Sequence, residues 1–547
     1  NKNLIKKDKK LFWLFTLFSV LLSITFVLGF NLTVYDDSYI NKIVTYIHVF
    51  DISNLVYALF NLGYNKNDKI FKKLDSINGN KLDKFLFDKH TFIKSFILIL
   101  LAWLPVLLAF YPGIFSYDSS VQFKEVATGY LSNANPVSHT LLLGFILNLG
   151  FKFFKSYQYG VLLYSIFQMT LLALSMSYII SYVNKRKLPF IYKLICLVIF
   201  MFLPTHSVLA ITTTKDVIFA CIVVLVLIKT YDMVMYKDEF FGKKKIINMI
   251  KYILLVFLMF IVRHNGFYGY IFLSLFLIIT FRKKLIPILI IVIVPLVMYK
   301  GYDKLINKYL LSLEYLPRYT TYNAALCVPA QQLARVYNYA PLTDEEKAEF
   351  DFFIIKDSVG FSDYEIRKSD HVTWYLDSRI LFDYKGQFFR LYFKYLVKYP
   401  KVYVDSYLQQ ILGYFYIGDV LPDSSTYRTY VEVRSIDDFD NTNGQIKFDS
   451  KIPSMFDKYY NMMENGTYQN NFILSILMNN AVHNLLMIFV IALACFKLKF
   501  KNAVPYMLLV GLMITNLLGP VALLRYCYYL YVGLPIMILS LYELRRS

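Results

Sequence analysis

The sequence predicts an α-helical polytopic membrane protein with about twelve transmembrane helices, juxtamembrane helices and a mixed extracellular domain. Of the 547 residues, 57% are hydrophobic and only 18% are charged, whereas soluble domains are usually about 45–50% apolar with about 25% charge. Long apolar runs recur along the chain, and segments rich in lysine and arginine stand between them. This pattern is typical of multi-pass membrane proteins.

The first apolar run, residues 11–32, follows a basic segment, residues 1–10, that contains five lysines. The run is longer than the apolar core of a typical signal peptide and lacks a clear cleavage site of small residues. We therefore interpret it as a retained transmembrane span.

The later apolar runs differ in how strongly they predict a span. The run 43–62 is interrupted by Asp51 and Asn54, and the run 267–281 is short. With these included, the predicted spans are 11–33, 43–62, 92–111, 157–183, 188–208, 214–233, 248–265, 267–281, 285–303, 472–496, 503–523 and 525–543.

Lysine and arginine in short loops predict the orientation, because they concentrate on the cytoplasmic side. The basic segments are 1–10, 66–89, 184–187, 243–245, 282–284, 497–501 and 545–546. Placing all of them inside gives twelve spans in the plasma membrane with both termini cytoplasmic. This requires 43–62 to cross the bilayer and the apolar segment 136–154 to lie at the outer surface as a juxtamembrane helix.

The same assignment of loops to the two sides of the membrane divides the chain into three regions. Residues 1–303 form a transmembrane region whose first outer loop is 112–156, residues 304–471 form an extracellular domain, and residues 472–547 form the C-terminal transmembrane helices. Within the domain, the aromatic-rich stretch 390–418 predicts an amphipathic helix on the membrane surface. The stretch 424–453 favours strands and turns, so we expect the domain to be mixed.

Several function classes are disfavoured by composition and motifs. The net charge of +20 comes from the basic loops between spans, which argues against a nucleic-acid partner. The five cysteines show no spacing typical of a metal site or a disulfide framework. We find neither a P-loop nor a GxGxxG that opens a helix after a strand, so nothing indicates an ATP-driven machine.

Unusual polar groups gather at the predicted outer ends of the spans. Asp118 follows the third span, and His139 opens the juxtamembrane segment. Outer turns further along carry His206, Lys215, Asp216, Arg263, His264, Asn265 and Arg525. Because the positive-inside rule predicts few cations there, Lys215, Arg263 and Arg525 indicate an anionic ligand with an apolar tail, such as a polyprenyl phosphate.

Each group also has an ordinary structural interpretation. Lysines and arginines at span ends often extend to the interface, and a lone histidine such as His139 is often a packing residue. Lys215 and Asp216 could form a local ion pair at a helix start. Asp118 could cap a helix, since the stretch YDSSVQF is typical of a helix N-terminus.

Six motifs then resemble a known superfamily when they are taken in order. They are FYPGIFSYDSSVQ (110–122), NPVSHTLLLG (135–144), TTKDVIFA (213–220), RHNGFYG (263–269), VPAQQLARV (328–336) and GPVALLRY (519–526). Together they resemble the fold class C (GT-C) polytopic membrane glycosyltransferases, and in particular a poorly characterised Gram-positive branch. The likeness extends from about residue 100 to about residue 530.

The resemblance implies roles for individual residues. An acid in the first large outer loop would be catalytic, which is the position of Asp118. Many relatives carry an Asp-Glu pair there, whereas Ser119 follows Asp118 here, which leaves the identity of the base and any need for a divalent cation open. No other cofactor is implied. From the charge pattern we assign donor-phosphate binding to Lys215, Arg263, Arg525 and His139, with Asp216, His206, His264, Asn265, Tyr117 and Gln122 as supporting residues. We assign acceptor binding to Gln331, Gln332 and Arg335, for which helix capping or a simple position on the polar surface is the ordinary alternative.

We therefore expect an inverting transfer from a polyprenyl-phosphate or polyprenyl-diphosphate donor to a hydroxyl acceptor at the outer face of the membrane. The transferred group would be a glycosyl unit or a whole cell-envelope glycopolymer, and the acceptor an envelope polymer such as teichoic acid or a glycolipid. A flippase or transporter of lipid-linked oligosaccharide is the main alternative, and a non-catalytic envelope scaffold is another. Transporters usually show repeated halves and polar sites near the midplane, whereas the polar groups here lie at one end of the spans.

Overall fold

The computed structural model describes residues 9–39, 42–77, 79, 81–115, 118–310, 323, 325–419, 449–463 and 465–546. Within these residues the chain is helical, and β-structure is limited to isolated bridges. Ten of the described helices are long and apolar enough to cross a membrane, and a bent helix pair gives up to eleven. The chain is thus an α-helical multi-pass membrane protein, as the sequence predicts.

Every predicted span coincides with a helix or with a pair of consecutive helices in the transmembrane region. The helices of the N-terminal part are α1 (Lys9–Tyr35), α2 (Lys42–Asp75), α3 (Lys81–Leu86), α4 (Thr91–Ala109), α5 (Ser119–Thr128), α6 (Val137–Phe154), α7 (Tyr157–Lys185), α8 (Phe190–Phe202), α9 (Pro204–Ala210), α10 (Lys215–Met235), α11 (Lys237–Phe241), α12 (Lys245–Val262), α13 (Asn265–Thr280) and α14 (Leu285–Tyr309). Helices α8 and α9 meet at a bend of 50°. Pro204 begins α9, and it has no backbone N–H to continue the hydrogen bonds of α8.

The remaining helices belong to the predicted extracellular domain and the C-terminal region. They are α15 (Cys327–Tyr339), α16 (Asp344–Asp351), α17 (Asp370–Trp374), α18 (Ser378–Asp383), α19 (Lys385–Lys398), α20 (Pro400–Ile411), α21 (Pro453–Met463), α22 (Phe472–Leu477), α23 (Asn480–Phe496), α24 (Met507–Leu517) and α25 (Tyr528–Arg546). Helices α13 and α23 are apolar but only 16 and 17 residues long.

Helix α10 is the centre of the bundle. Within its apolar window 83% of the residues are buried, and it packs against α7, α12 and α25. A helix that is apolar on every side is stable only when other helices surround it. The first residues of α10, Lys215 and Asp216, are therefore placed by the whole bundle and not by a surface loop.

Ion pairs and hydrogen bonds define one end of the bundle, which we call the Asp75 end. Asp75 pairs with Arg545, Arg186 pairs with Asp232 at 2.6 Å, and Lys497 donates to the carbonyl of Leu544 at 2.8 Å. The basic segments 184–187, 243–245, 282–284, 497–501 and 545–546 flank the helix ends that meet here. Five of the seven segments that the positive-inside rule assigns to the cytoplasm thus share one end.

Helix α6, which the sequence analysis places at the outer surface, satisfies the length and hydropathy criteria for a span. His139 near its start bonds Tyr164 of α7, and Gly150 near its end lies against Gly160 of α7. Both contacts are with the first turns of α7. They lie at the end of the bundle opposite Asp75, which we call the Asp118 end.

The described part of the predicted extracellular domain is helical, which corrects the expectation of a mixed fold. Helices α15 to α20 enclose their own apolar core, which includes Leu333, Phe350 and Tyr395. The predicted strand segment 424–453 lies mostly outside the described residues, and its last residue begins α21. The predicted amphipathic helix 390–418 is two helices, because Pro400 starts α20.

The domain is attached to the bundle at the Asp118 end. Arg335 on α15 pairs with Asp36 at the end of α1, at 2.9 Å. The Ser369 N–H donates to the carbonyl of Pro520 at 3.0 Å, and Tyr414 donates to the carbonyl of Val521 at 3.2 Å. These contacts hold the domain beside the loop that precedes Arg525.

Candidate functional site

A short backbone bridge joins the loop after α4 to the turn before α10. The Ile114 N–H donates to the carbonyl of Ile211 at 2.9 Å, and the Thr213 N–H donates to the carbonyl of Ile114, also at 2.9 Å. Gly113 has φ of +132° and lies against Ser165, a conformation that a side chain would not permit. The bridge thus sets the stretch carrying Asp118 beside the stretch carrying Lys215.

Asp118 and Lys215 form an ion pair and hydrogen bond at this junction. Lys215 also donates to the Asn135 Oδ1 at 2.7 Å. The Lys215 side chain is 13% exposed, whereas that of Asp118 is 40% exposed. The lysine is therefore held from two sides, while the carboxylate keeps an accessible face.

Asp118 occupies the N-cap position of α5, but its side chain makes no capping hydrogen bond. Of the two interpretations left open by the sequence, the helix cap lacks its defining contact. Neighbouring protein atoms raise the pKa of this carboxyl, but the charges of Lys215 and Arg525 outweigh them and hold the pKa well below its usual range. Asp118 is thus a stable carboxylate at any ordinary pH.

Asp216 joins two arginines that come from distant parts of the chain. Thr214 caps α10 by accepting from the Asp216 N–H, which fixes the start of the helix. One Asp216 oxygen accepts from Arg263, which follows α12, and the other accepts from Arg525 at 3.1 Å. The Asp216 side chain is 1% exposed, and a carboxylate so buried requires such partners.

Tyr526 provides an apolar surface between the arginines. The guanidinium carbons of Arg263 and Arg525 lie 4.6 and 4.9 Å from the centre of its ring. Stacking on an aromatic face fixes the plane of a guanidinium without consuming its N–H donors. Both arginines are therefore oriented before any ligand arrives.

We call Asp118, Lys215, Asp216, Arg263 and Arg525 the Asp118 cluster. Arg525 also lies 3.9 Å from Asp118, so the two carboxylates and three cations form one network. The network carries one net positive charge and is built largely from buried side chains. Such an arrangement is suited to holding an oxyanion, particularly a phosphate.

His139 and Gln122 support the wall beside the cluster. The two ring nitrogens of His139 bond the Gln122 Oε1 at 3.0 Å and the Tyr164 hydroxyl at 2.7 Å, and Gln122 also donates to Thr140 at 2.9 Å. Both ring nitrogens are thus engaged with protein groups. This geometry gives His139 a packing role, and its predicted contact with donor phosphate has no support.

The other predicted supporting residues are dispersed. His206 is fully buried and bonds Tyr528 at 2.9 Å. His264 bonds Tyr299 at 3.1 Å, and Asn265 donates to Thr515 at 3.1 Å. These contacts hold the turn that presents Arg263, while Tyr117 lies outside the described residues.

The three predicted acceptor-binding residues are buried inside the domain. Gln331 donates to the Glu365 carbonyl at 2.5 Å, and Gln332 donates to the Tyr403 carbonyl at 3.1 Å. The side chain of Arg335 is 3% exposed and forms an ion pair with Asp36. All three side chains thus have partners within the fold, and their predicted contact with an acceptor is not favoured by this geometry.

The domain contributes a carboxylate that sequence reasoning missed. Asp370, at the start of α17, lies near enough to Arg525 and Asp118 for their charges to affect its pKa. Burial raises the pKa of Asp370 above its usual value, although the charges of Lys368 and Arg525 act in the opposite direction. Asp118 and Asp370 are thus two carboxyls with pKa values displaced in opposite directions, a pattern that separates acid and base roles in enzymes.

Metal binding has little support in the described residues. Among them, no group of three or more His, Cys, Asp or Glu side chains is arranged to hold a metal ion. His371 lies 3.3 Å from Asp363 and 3.2 Å from Glu365, so it pairs with these carboxylates itself.

The chain belongs to a family of unknown function, DUF6020, whose model matches residues 126–547. The matched part contains Lys215, Asp216, Arg263 and Arg525, whereas Asp118 precedes it. No curated protein and no solved structure matches the chain.

Proposed function

We propose that the chain is a membrane-embedded, inverting glycosyltransferase of the GT-C kind, or a glycopolymer ligase with the same chemistry. The observation that carries the proposal is the Asp118 cluster, which places three cations and an accessible carboxylate at one end of a membrane bundle. Its donor is a polyprenyl phosphate or diphosphate, whose apolar tail stays in the bilayer. Its acceptor is a hydroxyl group on an envelope polymer or glycolipid.

The donor phosphate binds where Asp118 binds in the resting protein. Lys215 and Arg525 both face Asp118, so an incoming phosphate replaces that carboxylate as their partner. Arg263 stays fixed by Asp216 and adds a third positive charge nearby. This exchange binds the donor and at the same time frees Asp118 from its ion pair.

The reaction is then a single displacement at the anomeric carbon. The acceptor oxygen forms a bond to that carbon, and the bond from the carbon to the phosphate oxygen breaks with inversion. The acceptor proton passes to a carboxylate within hydrogen-bond reach, and the polyprenyl phosphate leaves with its charge stabilised by Lys215, Arg263 and Arg525. No covalent intermediate with the protein is required.

Asp118 is our first candidate for the base, because it is the accessible carboxylate of the cluster. Loss of its cation partners to the donor raises its proton affinity at the moment when a base is needed. Asp370 is the second candidate, because its pKa is already raised in the resting protein. A base works best when its pKa lies near the working pH.

We place the Asp118 end at the outer face of the plasma membrane. The support is the concentration of lysine and arginine segments at the Asp75 end, which the positive-inside rule assigns to the cytoplasm. A site at the outer face suits decoration or ligation of a Gram-positive envelope polymer such as teichoic acid. A site at the outer face also argues against soluble nucleotide sugars as donors, because these are cytoplasmic.

The test is a donor screen with the purified full-length protein. Polyprenyl-phosphate sugars and polyprenyl-diphosphate polymers with a radiolabelled lipid are incubated with hydroxyl-bearing envelope fractions. We expect acceptor-dependent release of polyprenyl phosphate or diphosphate from at least one donor. Movement of intact donor across proteoliposomes without release would instead favour a flippase.

A further inference from the structure

A second charged site lies at the Asp75 end, far from the Asp118 cluster. A pocket of about 480 Å³ opens between the end of α11, the start of α12 and the start of α14. We call it the basic pocket. It is lined by Phe241, Lys245, Arg282, Lys283, Lys284, Leu285, Ile286 and Pro287.

The four cations of the basic pocket are not neutralised by the protein. Lys245 and the three basic residues 282–284 make no ion pair with a described carboxylate, and no acidic residue lines the pocket. Lys284 instead lies 5.0 Å from the ring centre of Phe241. Four like charges around one cavity repel one another, and an anion bound between them relieves that repulsion.

Several other basic groups at the same end have carboxylate partners. Arg186 pairs with Asp232 and Glu239, Lys193 pairs with Asp83 at 3.0 Å, and Arg545 pairs with Asp75. The neighbouring pocket, which holds Lys185, Lys229, Lys243 and Lys244, also contains Asp232 and Glu239. The positive-inside rule requires only that the cytoplasmic loops carry positive charge. It does not explain why the basic pocket has no Asp or Glu among its described lining residues while the neighbouring pocket has two.

The rim of the basic pocket is apolar and faces outward from the bundle. Ile246 and Ile286 expose 72% and 74% of their surface, and Leu285 exposes 43%. These residues begin α12 and α14, both of which pass the span criteria. Exposed apolar side chains at this position on a membrane helix lie against lipid tails.

We propose that the basic pocket binds the headgroup of an anionic phospholipid, with its acyl chains lying against Ile246 and Ile286. A phosphodiester provides the anion that four cations need, and the apolar rim matches the chains that continue from it. Basic pockets between transmembrane helices on the cytoplasmic side recognise lipid headgroups in this way. A free phosphate would share the charge contacts but would leave the rim without a partner. The site is independent of the proposed transfer reaction at the other end of the bundle.

The test compares lipids on the purified full-length protein in a neutral detergent. Phosphatidylglycerol, phosphatidylcholine or inorganic phosphate is titrated while the unfolding temperature is followed, and retained lipids are counted by native mass spectrometry. We expect phosphatidylglycerol to raise the unfolding temperature more than either of the other two. The triple variant Arg282→Gln, Lys283→Gln and Lys284→Gln is expected to bind phosphatidylglycerol at least about tenfold more weakly.

The matched control removes three lysines from the other end of α14, namely Lys300→Gln, Lys304→Gln and Lys308→Gln. These side chains are exposed, and the change in net charge is the same. The control is expected to keep the wild-type preference for phosphatidylglycerol. If the first triple variant fails to fold, Lys245→Gln alone is expected to weaken retention of the lipid.

Three results would overturn the proposal. They are a basic-pocket variant that binds like the wild type, an equal loss in the α14 control, and an equal effect of inorganic phosphate. The first would show that the lipid does not bind at this pocket, and the second would show that it responds to overall charge only. The third would show a free-anion site.

Discussion

Lys215 and Asp118 are bonded to each other although 97 residues separate them in the chain. Lys215 starts α10, the most buried of the candidate spans, and Asp118 follows a loop bridged to the turn before that helix. The pair brings a cation and an accessible carboxylate to the same end of the membrane bundle. Transfer is expected to depend on this pair and on the arginines beside it.

Replacing Lys215 with Met is expected to lower the rate of transfer by about 10²–10³-fold, as loss of one charge-stabilising donor does in other enzymes. The variant also loses the bonds to Asp118 and Asn135. The measurement is the initial rate of polyprenyl phosphate release at several donor concentrations. Lys300→Met, which alters an exposed lysine, serves as the control, and an equal rate loss there would remove the special role of Lys215.

Replacing Asp216 with Asn is expected to destabilise the protein as well as inactivate it. Arg263 and Arg525 would then be left without their shared carboxylate in a buried place, which costs about 3–5 kcal/mol when a buried pair loses one member. The measurement is the unfolding temperature in detergent together with the transfer rate. Asp383→Asn, at an exposed position, is expected to match the wild type, and full stability of Asp216→Asn would contradict the described contacts.

The pH dependence distinguishes the two candidate bases. The charges of Lys215 and Arg525 keep the pKa of Asp118 well below its usual range, so its carboxylate persists when the pH falls from 8 to 5. A rate set by Asp118 is therefore expected to show no acid limb in kcat/KM over that interval, because kcat/KM reports groups of the free enzyme. An acid limb above pH 5 that disappears in Asp370→Asn would assign the base to Asp370, whose pKa is raised.

The acceptor assignment of Arg335 has its own test. Because Arg335 pairs with Asp36 between the domain and α1, Arg335→Met is expected to lower the free energy of unfolding by about 1–3 kcal/mol. The KM for acceptor should stay within about twofold of the wild type. Arg379→Met, at an exposed arginine, controls for loss of charge, and a large rise in acceptor KM with unchanged stability would restore the acceptor role.

The helices were the part of the fold most open to prediction from sequence. Apolar runs report burial or lipid contact directly, so each predicted span overlaps a helix or helix pair. The predicted twelve spans are more than the ten or eleven candidates among the described helices, because the helices of 267–281 and 472–496 are too short to count among them. The fold of the domain was harder to predict. A span is recognised because its apolar run must be long enough to cross the bilayer, whereas short amphipathic segments such as α19 and α20 have no such required length. The 50° bend between α8 and α9 depends on packing around Pro204 that no periodicity shows.

The site was predictable only in its outline. Charges at the ends of spans placed Asp118, Lys215, Arg263 and Arg525 near one boundary, and the structure brings these four together. The bridging role of Asp216 and the approach of Asp370 depend on side-chain directions and on domain docking, which leave no pattern in the sequence. The same reason explains why Gln331 and Gln332 seemed suited to a ligand although they bond the domain's own backbone.

The most direct test of the central claim is single-turnover release of polyprenyl phosphate by Asp118→Asn. The substituted amide keeps the size of the side chain but cannot accept the acceptor proton as a carboxylate does. We expect release to fall to background while the unfolding temperature and the binding of donor remain measurable, with Asp383→Asn behaving as the wild type. Release at the wild-type rate by folded Asp118→Asn would contradict the assignment of Asp118 as the base.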